Sequence, residues 1–215
     1  MRILITSGPT QEPIDPVRFI SNCSSGKMGR ALAASGIAGG HDIRLISGPV
    51  HIELPQENLV IRIMTAEEML QAVQDNIEWC DALIMAAAVS DWRPRTVSAH
   101  KIKKNEMSAE LLLERTPDIL NAVQEKKASR IYVGFAAETE NIISEARRKL
   151  LEKNLDMIVA NDVTRPDSGF EVDTNKVTLL TNNGKIEELP VMSKGAIANI
   201  IIERLESAFN NRSSF

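Results

Sequence analysis

Short apolar runs rich in β-branched residues recur at residues 2–6, 42–47, 59–63, 82–85, 131–135 and 157–160, and each predicts a strand. Segments with helical spacing of apolar positions, residues 27–38, 66–78, 117–126 and 142–153, fall between them. Strand, helix and strand in alternation is the repeating unit of a parallel sheet, so the pattern predicts an α/β fold. Thr65 stands before Glu67 and Glu68, a capping side chain ahead of acids in the first turn, and this marks a helix start. Residues 177–180 and 186–189 flank Asn182-Asn183-Gly184, whose tolerance of positive φ suits a tight hairpin. A last helix is expected over residues 194–209. Internal repeats, low-complexity segments and flexible linkers are absent from the sequence. The simplest architecture is therefore one domain over residues 1–215, a mostly parallel sheet with a small antiparallel hairpin appendage.

Two stretches interrupt the alternation. Residues 7–25 and 88–108 are long and aperiodic, and loops of that length in a compact domain usually carry function. The first holds three prolines and Arg18; the second holds Lys101, Lys103 and Lys104, with no acid after Asp91 as far as Asn105. In open parallel sheets ligands bind outside the carboxyl ends of strands. Polar or small residues stand at four such ends: residues 6–9, 85–91, 135–138 and 161–162. One cleft gathering all four is the expectation.

Composition narrows the chemistry. The chain has 215 residues, 43% hydrophobic and 25% charged, which excludes a disordered, collagenous or disulfide-stapled polypeptide. Its formal charge of -4 argues against general affinity for nucleic acid or an acidic membrane, so an anionic ligand needs a local basic patch. No apolar stretch is long enough to span a bilayer and no cleavable signal opens the chain, so a soluble cytoplasmic protein is expected. Cys23 and Cys80 are too few for a disulfide framework, and His41, His51 and His100 lack ligand spacing. Any metal is expected on oxygen ligands.

Several segments carry two readings each. Residues 24–29, Ser-Ser-Gly-Lys-Met-Gly, open a helix and suit an anion at its amino end, or are a glycine-rich helix start without a ligand. They match neither a Walker A loop nor a dinucleotide fingerprint. Met85-Ala86-Ala87-Ala88 either admits a ligand to the backbone or packs tightly against a helix. Asp91 either binds Mg²⁺ between phosphates or caps a helix. Phe135 either faces a base or is buried. Lys101, Lys103 and Lys104 form either a solvated loop or a strap over a polyphosphate. Lys149 and Lys153 share one helix face, at i and i+4.

The combination is more specific than its parts. Gly8-Pro9-Thr10, residues 12–22 (EPIDPVRFISN) and residues 24–29 resemble the opening of the phosphopantothenate-cysteine ligase family, often the C-terminal half of a bifunctional coenzyme A biosynthesis flavoprotein. Further matching blocks follow in order: residues 86–92, Lys101 to Lys104, Pro117-Asp118-Ile119, residues 134–139, 153–156 and 160–163. The resemblance implies a Rossmann-like three-layer fold and a CTP-dependent acid–amino acid ligase acting in two steps. The carboxylate of 4'-phosphopantothenate attacks the α-phosphate of CTP, giving an acyl-cytidylate and pyrophosphate. L-cysteine then displaces CMP.

Carried over residue by residue, the resemblance makes Asn22 and Lys101 catalytic. It places the nucleotide along Met85, Ala86, Ala87, Asp91, Lys101, Pro117, Asp118, Ile119, Leu120, Phe135, Lys149 and Lys153. Arg18, Asn22, Ala87 and Ala88 fall to the acid substrate. Mg²⁺ is expected with the triphosphate on Asp91 and Asp118, and no flavin. It further implies a homodimer and a stand-alone ligase, with the decarboxylase on a separate chain. A non-catalytic nucleotide- or flavin-binding module is the competing reading.

Overall fold

A computed structural model describes residues 1–104, 110–162, 164, 169 and 172–212. Asn105 to Ser108 of the second long loop and Val163 of the last matching block lie outside the described residues. The strands of the main sheet are β1 (Arg2–Ser7), β2 (Asp42–Ser47), β3 (Val60–Arg62), β4 (Ala82–Met85), β5 (Ile131–Glu138), β6 (Met157–Asp162), β7 (Val177–Thr181) and β8 (Ile186–Glu188). The helices are α1 (Lys27–Ala38), α2 (Ala66–Asn76), α3 (Ile119–Ala122), α4 (Ile142–Glu152) and α5 (Lys194–Arg212). Across the sheet the order is β8-β7-β6-β5-β4-β1-β2-β3. Strands β1 to β6 run parallel; β7 is antiparallel to β6, and β8 to β7.

Alternation along the strands divides the core into two layers, because successive side chains leave opposite faces of a sheet. Ile3 and Ile5 point to a cluster with Leu45, Ile84 and Val133, covered by Leu32 of α1 and Ile197 and Ile201 of α5. Leu4 points the other way, with Leu83, Tyr132 and Ile158, under Met69 and Val73 of α2 and Leu150 of α4. Helix on sheet on helix gives the expected three layers.

Several boundaries move. The antiparallel hairpin joins the edge of the main sheet: β7 pairs with β6 over five residues, from Met157 opposite Thr181 to Asn161 opposite Val177. Its turn is as read, with Gly184 at φ 88° and its N–H donated to Thr181 at 2.9 Å. The helix expected over 66–78 ends at Asn76 and tightens into a 3₁₀ turn, Ile77–Trp79. That expected over 117–126 shrinks to the four residues of α3 followed by a second such turn, Gln124–Lys126. The α2 start is as predicted: Glu68 N–H donates to Thr65 Oγ1 at 3.2 Å, and the Glu68 carboxylate accepts from Met64 N–H at 2.6 Å.

The long loops contain short antiparallel ribbons. Gln11–Pro13 pairs with Phe19–Ser21, and Trp92–Pro94 with Leu113–Arg115. No described helix is long and apolar enough to cross a membrane.

Candidate functional site

The strand order reverses between β1 and β4, and at such a switch point the connections diverge to opposite faces and open a crevice. A cavity of about 820 Å³ lies there. Its floor is the carboxyl end of β4: Met85, Ala86, Ala87 and Ala88. The small residues answer to both readings given above. Ala86 and Ala87 line the cavity, yet the N–H of Ala87 is already donated to Thr6 Oγ1 at 3.2 Å and that of Ala88 to Gly8 O at 2.9 Å. These bonds tie the ends of β1 and β4 together, so a ligand approaching Ala87 and Ala88 meets methyl groups rather than available amides.

One wall is the start of α1. Gly26 precedes it at φ 76°, a conformation that side chains resist, and Gly29 lies against β1. A Cβ on Gly29 would stand 2.3 Å from Ser7 Oγ and 2.4 Å from Ser7 Cβ. The glycines let the helix seat directly on the strand end, which brings Lys27, Met28 and the first-turn backbone to the cavity.

The opposite wall comes from α3, β5 and the end of α4. Phe135 lines it, half-buried, together with Pro117, Ile119 and Leu120. Asp118 caps α3, its carboxylate accepting from Asn121 N–H at 3.3 Å, and also accepts from Lys153 Nζ at 3.0 and 3.1 Å. Asp91 is exposed on the cavity wall and leads into a ribbon, not a helix, so it is no cap. Its carboxylate has no hydrogen bond or ion pair among the described residues.

Asn22 reaches the cavity from the first long loop. Its amide nitrogen donates to Ala88 O at 3.2 Å and Val89 O at 3.0 Å, which occupies both of its hydrogens.

The cavity thus collects Asn22, Met85, Ala86, Ala87, Ala88, Asp91, Pro117, Asp118, Ile119, Leu120, Phe135 and Lys153 from the predicted set. It does not collect Arg18, Lys101 or Lys149. Arg18 is turned to Asp15, and Lys101 is exposed in its loop. Lys149 is held by Glu138 at the end of β5, Nζ to Oε1 2.7 Å, before it reaches the opening.

Five lining residues, Arg115, Thr116, Gly169, Asn175 and Lys194, escaped the sequence reading. Arg115 stacks 5.6 Å above the Trp92 ring from the paired ribbon strand. Gly169, Asn175 and Lys194 come from the far end of the chain. Lys194 is 94% buried and donates to Gly169 O at 2.9 Å. Burial, with Lys27 nearby and Asp173 opposing, pushes its ammonium down to about 8. Lys27 itself pairs with Asp173 at 2.7 Å. The cavity is therefore cationic at the α1 end and mixed at the α3 end. Cys80 is unsuited to nucleophilic chemistry: it is buried, and burial pushes its thiol up to about 11. Among the described residues no three His, Cys, Asp or Glu side chains converge on a metal position.

Residues 1–209 match the family described as DNA/pantothenate metabolism flavoprotein, C-terminal domain. The chain belongs to this family. Within the DNA/pantothenate metabolism flavoprotein C-terminal domains, similar proteins include the coenzyme A biosynthesis bifunctional protein CoaBC of Bacillus subtilis, 47% identical over 94% of this chain and 50% of that protein. The Escherichia coli K12 protein of the same name is 41% identical over 99% of this chain and 53% of its own length. The chain thus spans about half the length of these relatives. Among solved structures, the C-terminal domain of CoaBC superposes with a TM-score of 0.84 at 40% identity, covering 98% of this chain and 96% of that one.

Proposed function

We propose that this domain is a phosphopantothenate-cysteine ligase of coenzyme A biosynthesis that activates the acid with CTP. The observation that carries the reading is one cavity in which Asn22, Asp91, Phe135 and Lys153 meet from four separate segments, in a chain 47% identical to a coenzyme A biosynthesis protein.

In the first step a carboxylate oxygen of 4'-phosphopantothenate attacks the α-phosphorus of CTP and the bond to the β-phosphate oxygen breaks, releasing pyrophosphate. In the second the cysteine amine attacks the acyl carbon, the acyl–oxygen bond breaks, and CMP departs as the amine loses a proton. Activation is needed because a carboxylate carries a poor leaving group, whereas a phosphate monoester leaves readily.

Each residue has a role consistent with its chemistry. Phe135, with the small residues of β4, offers a flat apolar surface for the base. Lys153 and Lys149 supply positive charge once their partners Asp118 and Glu138 yield. Lys101 neutralises the phosphate oxygens by swinging its side chain from the strap; Arg18 sits at the strap's base. Asn22 releases one of its two backbone acceptors to donate to the acyl oxygen, where charge grows in the second step. Asp91, an exposed carboxylate on the wall, fits Mg²⁺, which binds through one or two carboxylates and the substrate's phosphates; the bound ion screens triphosphate charge. Asp118, committed to a cap and to Lys153, fits it less well.

The active form is proposed to be a homodimer. Val17, Phe19, Trp92, Leu112 and Leu113 stand 38–63% exposed on or beside the two ribbons, an apolar face that a second copy would cover.

The deciding experiment measures pyrophosphate release from CTP, ATP, GTP and UTP with phosphopantothenate, with and without cysteine. Release with CTP before cysteine is added, followed by CMP on its addition, is the expected result. Tight nucleotide binding without consumption would return the protein to the non-catalytic reading.

A further inference from the structure

We propose that Asp15 is a positioning residue, its buried carboxylate fastening the lysine strap to the loop that carries Asn22; the inference rests on the ligase reading above. The Asp15 side chain is fully shielded from solvent, yet it touches neither the cavity nor the core sheet. Its oxygens instead collect donors from two segments more than eighty residues apart. Oδ1 accepts from Val17 N–H at 2.9 Å and Arg18 N–H at 3.0 Å, closing the turn between the ribbon strands. Oδ2 accepts from the Arg18 guanidinium, with Nε at 3.0 Å, and from Ile102 N–H at 3.2 Å. Arg18 Nη2 in turn donates to Ile102 O at 3.1 Å. Ile102 is therefore gripped at both backbone groups by one ion pair.

A second bond makes the grip an arch. Ser98 N–H donates to Ile14 O at 3.0 Å, so residues 98 and 102 are both pinned to the turn around Asp15, with Lys101 next to the second pin. An exposed lysine on an unpinned loop would lose much of its effective concentration at the cavity, because each extra free torsion must be frozen when it acts. Pinning Ile102 leaves little more than the Lys101 side chain to move. The arrangement also accounts for a buried carboxylate in so exposed a region: it holds two loops in one register. The Arg18 guanidinium and three backbone N–H groups hold the Asp15 carboxyl well below the usual carboxylate range.

The test is Asp15→Asn, which keeps shape but has one acceptor oxygen; with that oxygen on the turn amides of Val17 and Arg18, the amide nitrogen faces two other donors, Ile102 N–H and the Arg18 guanidinium. Amide hydrogen exchange should show faster exchange at Ile102 with unchanged protection in β4. Turnover should fall on the order of 10- to 100-fold at saturating CTP, with little change in the KM for CTP. The same substitution in a Lys101→Gln background should cost much less, since the strap then has nothing to deliver. Unchanged Ile102 exchange, unchanged turnover, or full additivity with Lys101→Gln would overturn the inference. If β4 protection also drops, Ile102→Pro, which removes the donated N–H and fixes φ there, replaces Asp15→Asn and is read by turnover and by its coupling to Lys101→Gln. A wild-type protein that releases no pyrophosphate overturns the ligase reading instead, while exchange at Ile102 still decides whether the anchor exists.

Discussion

The side-chain amide of Asn22 lies 3.0 Å from the carbonyl oxygen of Val89, across the mouth of the cavity from its own loop. With Ala88 O as the second acceptor, both amide hydrogens are used. Asn22 thus closes one edge of the cavity, and in the proposed ligase function donating to the intermediate requires one of these bonds to be exchanged.

For Asn22→Ala the expected outcome is a second half-reaction slower by on the order of 100-fold, the usual effect of losing an oxyanion donor. Quenched time courses should then accumulate acyl-cytidylate. Asn22→Asp should be at least as damaging, because a carboxylate cannot donate and would face two carbonyl oxygens. If either variant turned over preformed intermediate normally but failed to bind CTP, the assigned role would be wrong.

Gly29→Ala probes how α1 meets the sheet. Alanine favours a helix interior by about 1 kcal/mol, but the added methyl would overlap Ser7, and overpacking costs about 1–3 kcal/mol. A net loss of stability and a melting temperature lower by a few degrees are expected. Gly195→Ala, whose nearest new contact is Ser193 Oγ at 3.9 Å, should leave the melting temperature unchanged or raise it. Equal effects at the two positions would contradict the packing account.

Lys194 makes stability depend on pH in a window set by its depressed value. Its ammonium titrates near 8 when folded and near 10.4 when unfolded, so between these values the unfolded chain binds more protons. Stability from this group therefore rises as pH increases through the window and is smallest below pH 8. Melting temperatures of wild type and Lys194→Met, measured from pH 7 to 10, should diverge in favour of wild type with increasing pH. A difference independent of pH would exclude the assignment.

Replacing Phe19 and Leu112 together by aspartate should yield a monomer by sedimentation, with the far-ultraviolet spectrum preserved, since both side chains are at least half exposed and leave the core intact. A wild-type protein that sediments as a monomer would remove the proposed dimer at once.

Much of the fold was legible because its signals are local. The short apolar run of residues 2–6, the Thr65 cap and the Asn182-Asn183-Gly184 turn each need only their neighbours to be understood. The strand ends at residues 85–88 and 135–137 were legible as one site for a similar reason: parallel strands place their carboxyl ends on one edge of the sheet. The short α3 was harder, because residues 117–126 carry helical spacing while the chain leaves the α-helix after Ala122.

What the chain alone determined is which segments become strands and helices, and which residue types stand at the sheet's functional edge, since torsional preference and burial periodicity act over a few residues. Tertiary structure alone decided that Lys194, Asn175 and Arg115 join that edge, that Glu138 stops Lys149 short of it, and that Asp15 grips Ile102. Those outcomes depend on the direction in which each element leaves the sheet. A hydrogen bond or ion pair between residues eighty positions apart forms only once packing has removed the water that would otherwise compete for both partners.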